Sequence, residues 1–124
     1  PSVAGVGQLH AMKTGALFRA AVVGGGLAGG ASPDELASLE VYGRAVGRAF
    51  QLTDDLLDLL ESKGGDDTGD AHEDAVNLAV HLGADAVRAE AAEQVDRALD
   101  AVARFGGRAD TLSVIACFVR DRQV

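Results

Sequence analysis

From Ser32 to about Leu60 the chain carries one uninterrupted helical pattern, and that pattern ends in acid. Ser32 can cap, Pro33 suits the first helical position, and Glu35 completes a capping box with Ser32. Leu36, Leu39, Tyr42, Val46 and Phe50 then recur at helical spacing with no stop signal. Gly43 and Gly47 sit inside the pattern one turn apart, and each costs about 1 kcal/mol relative to Ala. Close approach of a neighbouring helix is the evident reason to keep them.

The last turns of this stretch, Phe50-Gln51-Leu52-Thr53-Asp54-Asp55-Leu56-Leu57-Asp58, place three carboxylates in a segment otherwise apolar enough to be buried. Asp54 and Asp58 are one turn apart, and Asp55 flanks them. Two carboxylates about 4 Å apart repel by roughly 4 kcal/mol at an effective dielectric of 20. Either the ridge is fully solvated or a cation sits on it. Mg²⁺ suits it, because this hard ion binds through one or two carboxylates plus substrate phosphates. Gln51 precedes Asp54 and Asp55 by three and four residues, so its amide can reach the same side of the helix; a plain packing role is the other reading.

The rest of the chain also reads as helix. Val6, Leu9, Met12, Ala16, Leu17, Ala20 and Val23 predict a helix over about 6–23, with Lys13 and Thr14 in its middle. On residues alone a mid-helix Lys is a solvated or snorkelling side chain. The run Gly24 to Gly30 lacks the preceding strand and the Lys-Ser/Thr ending of a phosphate loop, so it is read as a helix end and interhelical turn. Residues 61–72 read as loop, and two or three further helices are expected, over about 74–82, 84–105 and 109–122. That makes an all-α chain of about five helices. Its core must be built from Ala, Val and Leu, since 48% of residues are apolar but there are only four Phe, one Tyr and no Trp. Cys117, between Ile115 and Phe118, reads as part of that core.

Composition excludes several functions. A net charge of -8 argues against nucleic acid, whose backbone demands clustered Lys and Arg. No apolar run approaches the roughly 20 residues of a membrane span. A single cysteine cannot form an internal disulfide, which fits a reducing compartment, and Pro1 to Gly7 lack the pattern of a signal peptide, so a cytoplasmic chain is expected. Between Asp54 and Asp74 lie nine carboxylates (Asp54, Asp55, Asp58, Glu61, Asp66, Asp67, Asp70, Glu73, Asp74) against Lys63 alone. That region calls for cations.

Taken together, Lys13-Thr14, then Phe50-Gln51, then Asp54-Asp55-Leu56-Leu57-Asp58 resemble the trans-isoprenyl diphosphate synthases, the polyprenyl synthetase family. Members carry a Lys-Thr pair on one helix and later Phe-Gln followed by the second aspartate-rich motif, Asp-Asp-x-x-Asp. The resemblance runs over nearly the whole chain and corresponds to about the last two-fifths of a member, as one C-terminal portion of a single domain. It implies an isoprenyl synthase-like helical bundle and head-to-tail condensation of an allylic diphosphate with isopentenyl diphosphate, with Mg²⁺ as cofactor. It also implies roles. Asp54, Asp55 and Asp58 would serve the metal, Lys13 and Thr14 the allylic diphosphate, and Gln51 the same site. Arg120 and Arg122 match a basic tail that approaches the homoallylic diphosphate, although a solvated tail is the alternative. The family is commonly dimeric, so a homodimer is expected of the complete protein.

The chain departs from the family pattern after the second motif. Members usually carry Gly-Lys, an Asp and a further Lys there, whereas this chain has Gly65-Asp66, Asp70 and Glu73-Asp74, with Lys63 out of register. Acid in place of base should weaken diphosphate binding or pass that task to metal. The first aspartate-rich motif also lies outside these residues, so the 124 residues alone are expected not to turn over. The rival reading is a non-catalytic helical subunit that lends its fold to a partner synthase. A terpene cyclase is disfavoured by the Phe-Gln pair.

Overall fold

A computed structural model describes residues 3–64 and 83–122, with side chains from 13 to 61 and from 83 to 122. All regular structure among them is helical: α1 (Val3–Ala28), α2 (Pro33–Gly64), α3 (Ala84–Val102), a 3₁₀ stretch (Ala103–Ala109) and α4 (Asp110–Asp121). The expected helix over 74–82 and the loop acids Asp66, Asp70, Glu73 and Asp74 lie outside the described residues. None of the described helices is long and apolar enough to cross a membrane.

α2 is the axis of the bundle. Its start matches the capping box: the Glu35 amide donates to Ser32 Oγ at 3.2 Å, and the Ser32 amide donates to Glu35 Oε1 at 3.0 Å. The Ser32 amide, donating to it, holds the Glu35 carboxyl below its ordinary value. α1 runs antiparallel along one side of α2 and is pinned where the glycines predict. A Cβ at Gly43 would come within 2.9 Å of the Arg19 Cα, and one at Gly47 within 3.0 Å of the Gly15 Cα. Only glycine lets the two backbones approach this closely. An Arg19–Glu40 ion pair at 3.2 Å crosses the same interface.

On the other side α3 runs antiparallel to α2 and α4 runs parallel to it. Tyr42, Ala45, Val46 and Ala49 of α2 pack against Val95, Ala98 and Val102 of α3 and Ala116 and Val119 of α4. A second cluster, Leu52, Leu56, Val87 and Ala91, continues the α2–α3 contact toward the acidic end. The core is thus the Ala, Val and Leu core that the composition demands. Tyr42 donates its hydroxyl to the Leu112 carbonyl at 2.7 Å, and burial pushes that hydroxyl up to about 12. Arg48 and Glu90 pair at 3.1 Å across the half-buried α2–α3 seam.

Three helix ends differ from expectation. α1 continues through Gly24–Gly26 to Ala28 because that segment packs on the start of α2: a Cβ at Gly26 would meet Leu39 Cδ1 at 2.5 Å. It closes in a Schellman motif, Ala31 N to Gly26 O and Gly30 N to Leu27 O, with Gly30 at φ 80°. α2 runs on to Gly64, past the expected loop start at Glu61. α3 stops at Val102 rather than Phe105, and the 3₁₀ stretch, broken at Gly106 (φ 57°), turns the chain into α4. Cys117 is half-buried rather than core, because α4 leaves Val114, Ile115 and Phe118 exposed on its outer face.

Candidate functional site

The buried polar side chains among the described residues are Gln51, Thr53 and Asp55, all within two turns of α2. Burying such groups is costly unless they are hydrogen-bonded. Thr53 satisfies itself on the Ala49 and Phe50 carbonyls at 3.0 and 3.2 Å. Gln51 and Asp55 are satisfied in a different way. Thr14 of α1 donates its hydroxyl to Gln51 Oε1 at 3.3 Å, and Gln51 Nε2 donates to Asp55 Oδ1 at 3.1 Å. One chain of hydrogen bonds therefore runs from the Lys-Thr pair of α1, through the Phe-Gln pair, to the middle carboxylate of the acidic motif.

The close approach at Gly43 and Gly47 makes this possible, since it brings α1 near enough for a threonine hydroxyl to touch a glutamine amide. Gln51 is a connecting residue, not simple packing. Lys13, next to Thr14, is exposed and makes no ion pair with another described residue. Asp54 is half-buried and Asp58 exposed, so the three acids grade from interior to surface along one face of the helix. Among the described residues no three acid, histidine or cysteine side chains converge on one point that a metal could occupy. The donor set is nonetheless hard oxygen on one ridge, suited to an ion that takes one or two carboxylates and completes its shell with phosphate and water.

The two C-terminal arginines, expected to face the homoallylic diphosphate, are held by neighbours of their own. Arg120 pairs with Asp121 at 2.9 Å, which holds that carboxyl below its usual range. Arg122 turns its head onto the flank of α2 away from Asp55: Nη2 donates to the Phe50 carbonyl at 3.1 Å and to Thr53 Oγ1, and the guanidinium lies 4.3 Å from the Phe50 ring centre. Both line a cleft of about 890 Å³, with Leu57, Leu60 and Arg88 also on its walls. Sequence reasoning missed this stacked Arg122; an Arg at the end of a helix gives no signal of which neighbour it will cover.

A bundle of this topology with the Thr14–Gln51–Asp55 chain at its centre defines a class. The chain belongs to the polyprenyl synthetase family, whose model matches residues 5–111. It is 33% identical over 117 residues to a dimethylallyltranstransferase from Fischerella ambigua, covering 92% of this chain and 34% of that protein. It is 51% identical over 51 residues to a short chain isoprenyl diphosphate synthase from Methanothermobacter thermautotrophicus, covering 41% of this chain and 16% of that one. The fold matches a crystal structure from Marinomonas sp. MED121, whose assignment as a farnesyl-diphosphate synthase is itself provisional, with TM-score 0.73 and 31% identity over 98% of this chain and 41% of that one. The chain thus spans well under half the length of these relatives.

Proposed function

We propose that in the complete protein this chain forms one wall of a Mg²⁺-dependent prenyltransferase site that condenses an allylic diphosphate with isopentenyl diphosphate. The observation that carries the reading is the Thr14–Gln51–Asp55 hydrogen-bond chain, which gives a buried carboxylate a fixed orientation beside two less buried ones. Folding alone has no use for that arrangement. Asp54 and Asp58 would hold the metal with Asp55 in support, and Mg²⁺ bound there would supply Lewis-acid neutralisation of the departing diphosphate. Lys13 contributes a compact positive charge toward diphosphate oxygens, and Thr14 orients Gln51. Gln51 in turn keeps Asp55 aimed along the ridge. No residue here acts as a nucleophile; the side chains bind, orient and balance charge.

Of the two C-terminal arginines, Arg120 is the one whose head is not fixed to α2, so any contact with the homoallylic diphosphate from this end falls to it. A homodimer in the cytoplasm remains the proposed setting. The scaffold reading is weaker, because a helical subunit with no ligand has no reason to keep a buried Asp tied through Gln to a neighbouring helix.

The test is calorimetric titration of a bisphosphonate into the complete protein with and without Mg²⁺, beside Asp54→Ala. The reading predicts metal-dependent binding that weakens at least about tenfold in the variant, the scale of losing one charged ligand contact. Equal binding by the two proteins rejects it. The 124 residues by themselves are expected to show no condensation.

A further inference from the structure

We propose that Arg122 is a positioning residue for the acidic ridge, acting from the neighbouring flank of α2; the functional half of this proposal rests on the prenyltransferase reading above. Three contacts place it. Its Nη2 donates to the Phe50 carbonyl, which in an α-helix is also the acceptor for the Asp54 amide. The same nitrogen donates to Thr53 Oγ1, the hydroxyl that is itself bonded to the Ala49 and Phe50 carbonyls. The guanidinium carbon lies over the Phe50 ring, and that ring meets Phe18 of α1 at 5.5 Å between centroids.

Arg122 over Phe50, with Phe50 tilted against Phe18, therefore ties the end of α4 to α2 and α1 beside Gln51 and one turn before Asp54. Phe18 lies one turn after Thr14 on α1, so the Phe18–Phe50 contact fixes the spacing of the same two helices that the Thr14–Gln51 bond spans. The contact is not an optimised structural one. Arg122 Nε is buried with no hydrogen-bond partner, a cost that a contact selected only for stability would avoid. What the geometry does achieve is a fixed cation against the one turn of backbone from which Gln51, Asp54 and Asp55 project. Loss of Arg122 should let that turn and the Phe50 ring relax, and with them the Gln51 amide that orients Asp55.

The experiment uses protein labelled with ¹⁵N at glutamine and follows the Gln51 side-chain amide pair, together with Mg²⁺-dependent bisphosphonate affinity. Arg122→Ala should shift the Gln51 pair and weaken affinity about tenfold, the usual size of losing one charge-assisted hydrogen bond. Arg122→Lys should restore neither, because an ammonium cannot both stack and bridge as the planar fork does. The comparison variant is Arg104→Ala, which removes a similar arginine from the Asp34 carbonyl and Ser38 Oγ at the other end of α2. It should lower the melting temperature and leave Gln51 where it is. An unmoved Gln51 pair in Arg122→Ala, or an equal movement in Arg104→Ala, overturns the proposal, as does unchanged affinity. If the unsubstituted protein does not bind the bisphosphonate, the prenyltransferase reading fails, while the Gln51 signal still decides whether Arg122 positions the ridge.

Discussion

The two halves of α2 are built to different rules. From Pro33 to Phe50 the polar side chains serve the fold: a capping box at the start, Glu40 shared by Arg19 and Arg44, Arg48 paired with Glu90, and the Tyr42 hydroxyl on a carbonyl of α4. From Gln51 onward the helix buries an amide and a carboxylate and sets two more carboxylates along the same face. The first half is explained by folding. The second gathers buried polar groups and like charges at one helix end, a placement that costs desolvation and repulsion and is common at ligand sites.

Substitutions in the first half should therefore cost stability. The largest loss is expected for Gly43→Val, whose new side chain meets the Arg19 backbone with no room to yield; urea unfolding should show about 3 kcal/mol of destabilisation. Next comes alkaline pH. The Tyr42 hydroxyl ionises near 10 when unfolded and near 12 when buried, so its contribution is complete below pH 10 and is lost as pH rises toward 12. That loss is about 2 kcal/mol, and unfolding of Tyr42→Phe measured over the same range should not show it. Ser32→Ala should cost about 1 kcal/mol in the same assay by removing the cap. The capping contribution should also fade in acid: Glu35 titrates below its ordinary value, so its share is present above that value and disappears as pH falls through the folded one. In the second half Asp58→Asn should stay within about 0.5 kcal/mol of the parent, since the residue is exposed on the helix surface.

The same contrast explains what could be read from the sequence. The start of α2 was legible because capping is local chemistry, written in Ser32, Pro33 and Glu35. The Gly43–Gly47 approach was legible because two glycines in an otherwise strong helix have few other uses. Gln51 was placed on the acid side by spacing alone, and its bond to Asp55 follows that spacing. Its second bond, to Thr14, depends on the antiparallel register of α1, which no local pattern encodes. The continuation of α1 through Gly24–Gly26 was not legible either. Glycine propensity points to a break there, and tertiary contact with Leu36 and Leu39 overrides it. Arg122 lies furthest from view, since its role is fixed by where the end of α4 lands against Phe50.

The most direct measurement compares thermal unfolding of the complete protein and its Asp54→Asn variant, each alone and with Mg²⁺ plus inorganic pyrophosphate. Without ligand the variant should melt at or above the temperature of the parent, because one member of a repelling set has been neutralised. With both ligands at about 100 times their dissociation constant the parent should gain close to 3 kcal/mol, and the variant should gain little. A variant that melts lower without ligand, and that responds to Mg²⁺ and pyrophosphate as fully as the parent, would contradict the claim that these acids are placed for a bound cation.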